Sequence, residues 1–167
     1  MRNLVFVLLV VLSLGICNAQ SATAKPQEPA AIGVVFRLDP SSQELKPLPD
    51  EQWKVKGKAG WTTVTGILII SGNSSTFRIK AGEKTGFIFI SGTAERTRLY
   101  RFDQKNSERQ LELVKRKGRE QETFQGVPFE LTKYGESSYK LVPKTPLEPG
   151  EYAIDLSGKT FTFGIDQ

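Results

Sequence analysis

Apolar and polar residues alternate along most of the chain, and no segment keeps the period of an amphipathic helix. In 152–156 and 160–165, for example, apolar or aromatic side chains occupy every second position. A period of two is typical of half-buried β-strands. Clusters of Gly, Pro, Asn, Asp and Ser recur at intervals of roughly eight to twelve residues, which is the spacing of a β-sandwich or barrel. The strands predicted in this way are 32–38, 44–48, 61–70, 77–80, 86–90, 97–102, 111–115, 127–133, 138–142, 150–156 and 160–165.

The one segment with helical character is 108–125, which is rich in Glu, Lys, Arg and Gln. Its apolar residues Leu111 and Leu113 lie two positions apart, and Val114 then breaks the pattern. We therefore predict a strand through residue 115 and a polar connection beyond it. The polar run 103–107 that precedes this strand predicts a hairpin with a longer loop.

The most specific motif is the stretch from Leu147 to Tyr152, which has the form L-x-P-G-x-Y. Pro149 and Gly150 predict a tight turn, after which Tyr152 enters the next strand with its ring folded back over the corner. The upstream backbone can accept a hydrogen bond from the hydroxyl group, which needs a partner once it is buried. The stretch resembles the tyrosine corner of Greek-key, immunoglobulin-like β-sandwiches. This resemblance implies that all-β fold, with extra strands, and carries no information about function.

The N-terminal residues have the pattern of a signal peptide. Arg2 precedes the apolar run 4–16, which is too short to span a bilayer comfortably but has the length of a signal-peptide core. The small residues Cys17 and Ala19 predict cleavage after Ala19. An alternative is a lipid anchor on Cys17, which is less favoured because the bulky Ile16 stands where lipoprotein signals carry a small residue.

Three segments follow from this reading. Residues 1–19 are the predicted signal peptide, the polar and Pro-containing stretch 20–30 is a predicted disordered linker, and 31–167 is a predicted single domain. The signal, with the stretches 32–36, 117–120 and 161–166, also loosely resembles secreted bacterial envelope proteins of uncharacterised function. That likeness implies a secreted or periplasmic location in the cell envelope, and it implies no activity.

Composition narrows the possible chemistry. The 38% apolar and 25% charged fractions fit a soluble globular protein. The chain has no histidine, and its single cysteine is Cys17. A Ser-His-Asp arrangement is therefore impossible, the usual zinc ligands are missing, and the cleaved chain would form no disulfide. No calcium-binding or Walker pattern occurs either, so we expect no metal and no cofactor. Cleavage would also remove Arg2 and lower the net charge from +5 to +4. The remaining positive charge favours adsorption to anionic surfaces.

Basic residues are concentrated on the two arms of the hairpin predicted after residue 96. On the first arm, Tyr100 and Phe102 alternate with arginines, a pattern that also occurs in nucleic-acid binders, although the predicted export makes nucleic acid an unlikely partner. We expect either an anionic glycan or lipid surface, or a solvated sheet face whose arginines pair with nearby glutamates. The candidate residues for anionic-surface binding are Arg96, Arg98, Arg101, Arg116, Lys117 and Arg119.

Trp53 and Trp61 flank a stretch rich in Lys and Gly, and they are candidates for stacking on a ligand such as a sugar. The alternative is that Trp61 is a core anchor at the start of a strand and that Trp53 is partly buried.

Acidic pairs are the last candidates for chemistry, since two carboxyl groups can transfer protons. The pairs are Asp50 with Glu51, Glu120 with Glu122, and Glu148 with Glu151, all in turn-like or polar segments. We expect a non-enzymatic binding or structural module of the cell envelope or extracellular space. It would recognise an anionic surface, or a protein through an edge strand. The alternative is a small carboxylate-dependent hydrolase or lyase that acts on extracellular glycan.

Overall fold

A computed structural model describes residues 26–59, 63–117, 120–123 and 126–167. In this part of the chain the regular structure consists of β-strands and one 3₁₀ turn, Ala94–Arg96, so the predicted all-β class is confirmed. The strands are β1 (Val35–Leu38), β2 (Leu45–Pro47), β3 (Trp53–Ala59), β4 (Thr63–Ser71), β5 (Arg78–Ile79), β6 (Phe87–Ile90), β7 (Arg98–Lys105), β8 (Glu108–Lys117), β9 (Glu120–Thr123), β10 (Phe129–Lys133), β11 (Ser138–Pro143), β12 (Gly150–Leu156) and β13 (Lys159–Ile165).

The strands form two sheets that pack face to face. The smaller sheet has the order β10-β11-β6-β1-β2, and the larger has the order β3-β4-β8-β7-β12-β13-β5, with β9 added beside β8. Between the sheets, the Phe87 and Phe163 rings lie 4.6 Å apart. We call the buried residues there the inter-sheet core. They are Val35, Leu48, Ile79, Phe87, Phe89, Ala94, Leu99, Leu141, Tyr152, Ile154, Leu156, Phe161, Phe163 and Ile165.

The larger sheet also buries residues on its other face, because it curls back on itself. Glu51 donates its backbone N–H to the carbonyl oxygen of Thr160 at 2.8 Å, and Thr162 donates to that of Pro49 at 3.0 Å. The residues that lead into β3 are thereby joined to β13. The curled sheet surrounds a second apolar cluster, which we call the enclosed core and which consists of Leu68, Ile70, Phe102, Leu111 and Ala153.

The hairpin of β7 and β8 corrects two expectations. Asn106 and Ser107 have φ angles of 53° and 61°, which is typical of a two-residue type I′ turn, so the predicted longer loop is wrong. The polar connection predicted beyond residue 115 is also wrong. There β8 continues to Lys117 and pairs with β9, because backbone hydrogen bonds form regardless of side-chain polarity.

The segment before β1 is attached to the sandwich at Glu28. Its carboxylate accepts hydrogen bonds from the Ser137 N–H (3.0 Å), the Ser138 N–H (3.3 Å) and the Ser138 hydroxyl (3.0 Å). The linker expected over 20–30 thus contacts the β10–β11 turn from Glu28 onwards, while residues 20–25 lie outside the described part of the chain.

Candidate functional site

The corner between β11 and β12 has the geometry that its motif predicts. The Tyr152 hydroxyl donates a 2.8 Å hydrogen bond to the carbonyl oxygen of Glu148, four residues upstream. Burial raises the pKa of Tyr152 further above neutral pH. Leu147 packs against the inter-sheet core, and the φ of 154° at Gly150 favours glycine. The corner orients β12 and leaves no group free for chemistry.

Among the described side chains of the predicted basic set, Arg98 and Arg101 do not share a face of the sheet. Arg101 is aligned with Tyr152 and Arg98 with Asp155, so these two arginines point to opposite faces of the sheet. Arg101 donates to the Glu148 carboxylate at 2.6 Å, and Arg98 donates to two nearby carbonyl oxygens. Arg96 is exposed in the 3₁₀ turn.

Two residues of the second half of the predicted patch, Arg116 and Lys117, lie at the end of β8. There the backbones of Arg116 and Lys117 pair with β4 and β9, whereas β7 pairs with β8 only over 108–110. The side chains of Arg116 and Lys117, and all of Arg119, lie outside the described residues. The structure therefore describes the side chains of only Arg96, Arg98 and Arg101, and the arginine patch as a whole stays a prediction.

A cleft of about 490 Å³ opens at one end of the smaller sheet. Its walls are the connection between β1 and β2, the connection between β5 and β6, and the chain from β11 to the tyrosine corner. Six of its side chains are apolar, and we call them its apolar floor: Leu38, Pro40, Val142, Pro143, Pro146 and Leu147.

Three lysines line the same cleft: Lys84, Lys140 and Lys144. Within the described residues none of their ammonium groups has an ion-pair or hydrogen-bond partner. The acidic residue of the cleft is Glu83, and its carboxylate is bound by the buried Arg37. Gly86 leaves room for Lys140, because a Cβ there would lie 3.3 Å from Cε of that lysine. The cleft therefore combines an apolar floor with an uncompensated positive charge.

These lysines were not among the residues predicted from sequence. Lys84 follows the turn residues 81–83, and Lys144 lies between Pro143 and Pro146, so each looks like an ordinary exposed loop residue. The sequence signal is that each connection carries a lysine within two residues of Gly or Pro. Pairing of β11 with β6 is what brings the two connections together.

Of the two candidate tryptophans, Trp53 is half-buried at the start of β3 and packs against the enclosed core. Trp61 lies outside the described residues. Trp53 also lines a second, smaller cleft.

The acidic pairs differ in their surroundings: Asp50 and Glu51 both line the smaller cleft, whereas Glu148 and Glu151 bind different arginines. Glu148 binds Arg101, and Glu151, which is 2% exposed, binds Arg78. Asp50 and Glu51 are neighbours in extended chain, and the side chains of Glu120 and Glu122 lie outside the described residues. Within the described part of the chain, no group of three or more acidic, His or Cys side chains could hold a metal ion.

Comparison with known proteins adds no assignment. Across the described ranges, no helix is long and apolar enough to cross a membrane. No protein-family model matches the chain, and neither a curated protein nor a solved structure matches it significantly.

Proposed function

We propose that the protein is an exported, non-enzymatic binding module whose lysine-lined cleft takes an anionic ligand with an apolar part. The observation that carries this proposal is the placement of Lys84, Lys140 and Lys144 around an apolar floor, without acidic partners among the described residues. Clefts of roughly 300–1,000 Å³ hold small-molecule ligands, and this one falls within that range.

Each part of the cleft has a separate role in this proposal. The ammonium groups attract and orient the anion, and Arg37 removes the competing charge of Glu83. The floor supplies apolar contact, which contributes about 0.8 kcal/mol for each methylene group that the ligand buries. A ligand with both an anionic head and an apolar tail therefore binds with a more favourable free energy than a simple salt ion does.

Calorimetric titration with octyl phosphate, octanol and octyltrimethylammonium, below their micelle concentrations, tests the proposal. We expect octyl phosphate to bind with a salt-dependent affinity, and the neutral and cationic probes to bind much more weakly. The triple variant Lys84→Gln/Lys140→Gln/Lys144→Gln should lose about tenfold or more in affinity, since it removes three charge-assisted contacts.

The matched control is Lys54→Gln/Lys56→Gln/Lys105→Gln, which removes the same charge from exposed positions outside the cleft. It should keep most of the affinity. An equal loss in both triple variants would mean that net charge alone attracts the probe, and the cleft would then not be the site. Equal binding of all three probes would also overturn the proposal.

Export is part of the same proposal. It is supported by the apolar run 4–16 and the small residues before the cleavage site near Ala19, with a lipid anchor on Cys17 as the less favoured form. These residues lie outside the described part of the chain. The module would then act in the extracellular space, the periplasm or the cell envelope.

We further propose that the sandwich is of the Greek-key, immunoglobulin-like type, with extra strands. Two observations support this proposal. The Tyr152 hydroxyl bonds to the backbone of Glu148, as in a tyrosine corner. Strands distant in sequence are also neighbours, namely β7 with β12 and β6 with β11.

A further inference from the structure

The second cleft lies where the curled sheet meets itself, and it has a different chemistry. It has a volume of about 420 Å³ and lies between the chain entering β3 and the β12–β13 turn. Its lining residues are Asp50, Glu51, Gln52, Trp53, Gly158, Lys159 and Thr160. Trp53 is the only large apolar side chain among these residues, and five of the others carry hydrogen-bonding side chains: Asp50, Glu51, Gln52, Lys159 and Thr160. This composition differs from the apolar floor of the lysine-lined cleft.

We infer that this second cleft binds a carbohydrate, with a sugar ring against the indole of Trp53. Sugar rings present apolar C–H faces, which pack on aromatic side chains, and hydroxyl groups around their edges, which need both donors and acceptors. Gln52 supplies both kinds of group, Lys159 supplies donors, and Asp50 supplies acceptors. A purely apolar ligand would leave these groups without partners.

The carboxylate of Glu51 is held in place before any ligand arrives. Its Oε1 accepts a 2.6 Å hydrogen bond from the Thr162 hydroxyl, and its Oε2 is bound by Arg109. Arg109 is 2% exposed, and it also donates to the carbonyl oxygens of Ser71 (3.0 Å) and Gly72 (3.1 Å). Each oxygen of Glu51 keeps a second lone pair, so the oriented carboxylate can still accept a hydrogen bond from a sugar hydroxyl.

The walls of the cleft are also fixed relative to each other. The hydrogen bond from the Glu51 N–H to Thr160 joins them directly, and Trp53 rests on the enclosed core. A site that is fixed in this way loses little conformational entropy when it binds. The aromatic residue, the oriented carboxylate and the rigid walls together favour a sugar over a flexible peptide.

Fluorescence titration of the Trp61→Phe variant, in which Trp53 is the only tryptophan, tests this inference. The probes are the β-1,4-linked hexaoses of glucose, N-acetylglucosamine, xylose and mannose. We expect a saturable change in Trp53 emission with at least one of them. Gln52→Ala and Lys159→Ala, both at exposed positions, should each weaken that binding about threefold to tenfold, the range for one lost hydrogen bond.

Two further variants keep the result interpretable. Lys54→Ala changes an exposed neighbour that does not line the cleft, and it should bind like the parent. The triple lysine variant of the other cleft should also bind sugar normally, so the two proposals can fail independently. The inference is overturned if no hexaose gives a saturable change, or if Gln52→Ala and Lys159→Ala bind as tightly as Lys54→Ala.

Discussion

Glu151 and Tyr152 are consecutive on β12, and they show how single residues connect the two faces of the larger sheet. Tyr152 faces the smaller sheet, and its ring stacks at 5.4 Å on the ring of Phe163 from the neighbouring strand β13. Glu151 faces the opposite way, accepts a 2.8 Å hydrogen bond from the Ser75 N–H and binds Arg78. A buried carboxylate is tolerated there because both of its oxygens have partners.

At this scale the first prediction concerns the tyrosine corner. Tyr152→Phe removes the hydroxyl that bonds to Glu148 and retains the ring that stacks on Phe163. We expect the free energy of unfolding to fall by about 1 kcal/mol, the typical net value of one hydrogen bond. Urea denaturation followed by circular dichroism measures this change.

Tyr139→Phe is the matched control for this experiment. The Tyr139 ring also packs on a core phenylalanine, Phe89, but its hydroxyl has no hydrogen bond among the described residues. We expect it to change stability little. If the two variants lose the same amount, the corner hydrogen bond contributes nothing specific.

At the scale of strands, the sequence pattern predicts strand boundaries best where apolar side chains that face a core alternate with polar ones. Predicted strand 150–156 coincides with β12, and 160–165 differs from β13 by one residue. Strand β3 was missed because three lysines and Gly57 make it look like a loop, and its Val55 is 68% exposed. An edge strand is formed by backbone pairing with its neighbour, which leaves little signal in its side chains.

The two clefts were even harder to predict than β3. Each is built from connections that lie far apart in the sequence, so their side chains meet only after the sheets have formed. Trp53 was singled out from composition, but Glu51 and Thr160 meet only because the larger sheet curls. The arginine patch was predicted from nearness along the chain, yet Arg98 and Arg101 lie on opposite faces of one strand.

The segment before β1 carries a prediction about pH. The N–H of Ser137, with further hydrogen bonds from Ser138, holds the pKa of the Glu28 carboxyl below its usual value of 4.5. A lowered pKa means that the folded state favours the ionised form. The attachment of this segment is therefore fully stabilised above about pH 4.5 and weakens as the pH falls through the lower, folded-state pKa.

Nuclear magnetic resonance measures this directly through the amide shifts of Ser137 and Ser138. We expect both amides to titrate together, with a midpoint below 4.5. The Glu28→Gln variant should remove this titration, because glutamine does not ionise. A midpoint at or above 4.5, or an unchanged titration in Glu28→Gln, would show that Glu28 is not held at the β10–β11 turn.

At the scale of the whole molecule, the inter-sheet core and the enclosed core share the same central strands. Ile154 on β12 belongs to the first and its neighbour Ala153 to the second. Every residue of β13 after Lys159 is buried, whichever face it points to. Neither core can therefore be exposed to water without disrupting strands that the other core needs, which favours a single cooperative unfolding transition.

Two large-to-small substitutions, one in each core, test this cooperativity. Leu68→Ala opens a cavity in the enclosed core and Leu141→Ala one in the inter-sheet core, so each should cost about 2–5 kcal/mol. In a Trp61→Phe background, urea unfolding would be followed by the fluorescence of Trp53 beside the enclosed core and by circular dichroism, which reports on both sheets. We expect the unfolding midpoints of the two signals to shift together in both variants. The control is Val55→Ala, at an exposed position, which should change stability by less than about 0.5 kcal/mol. Separate transitions, or a fluorescence shift that Leu141→Ala fails to reproduce, would mean that the curled sheet unfolds independently of the sandwich.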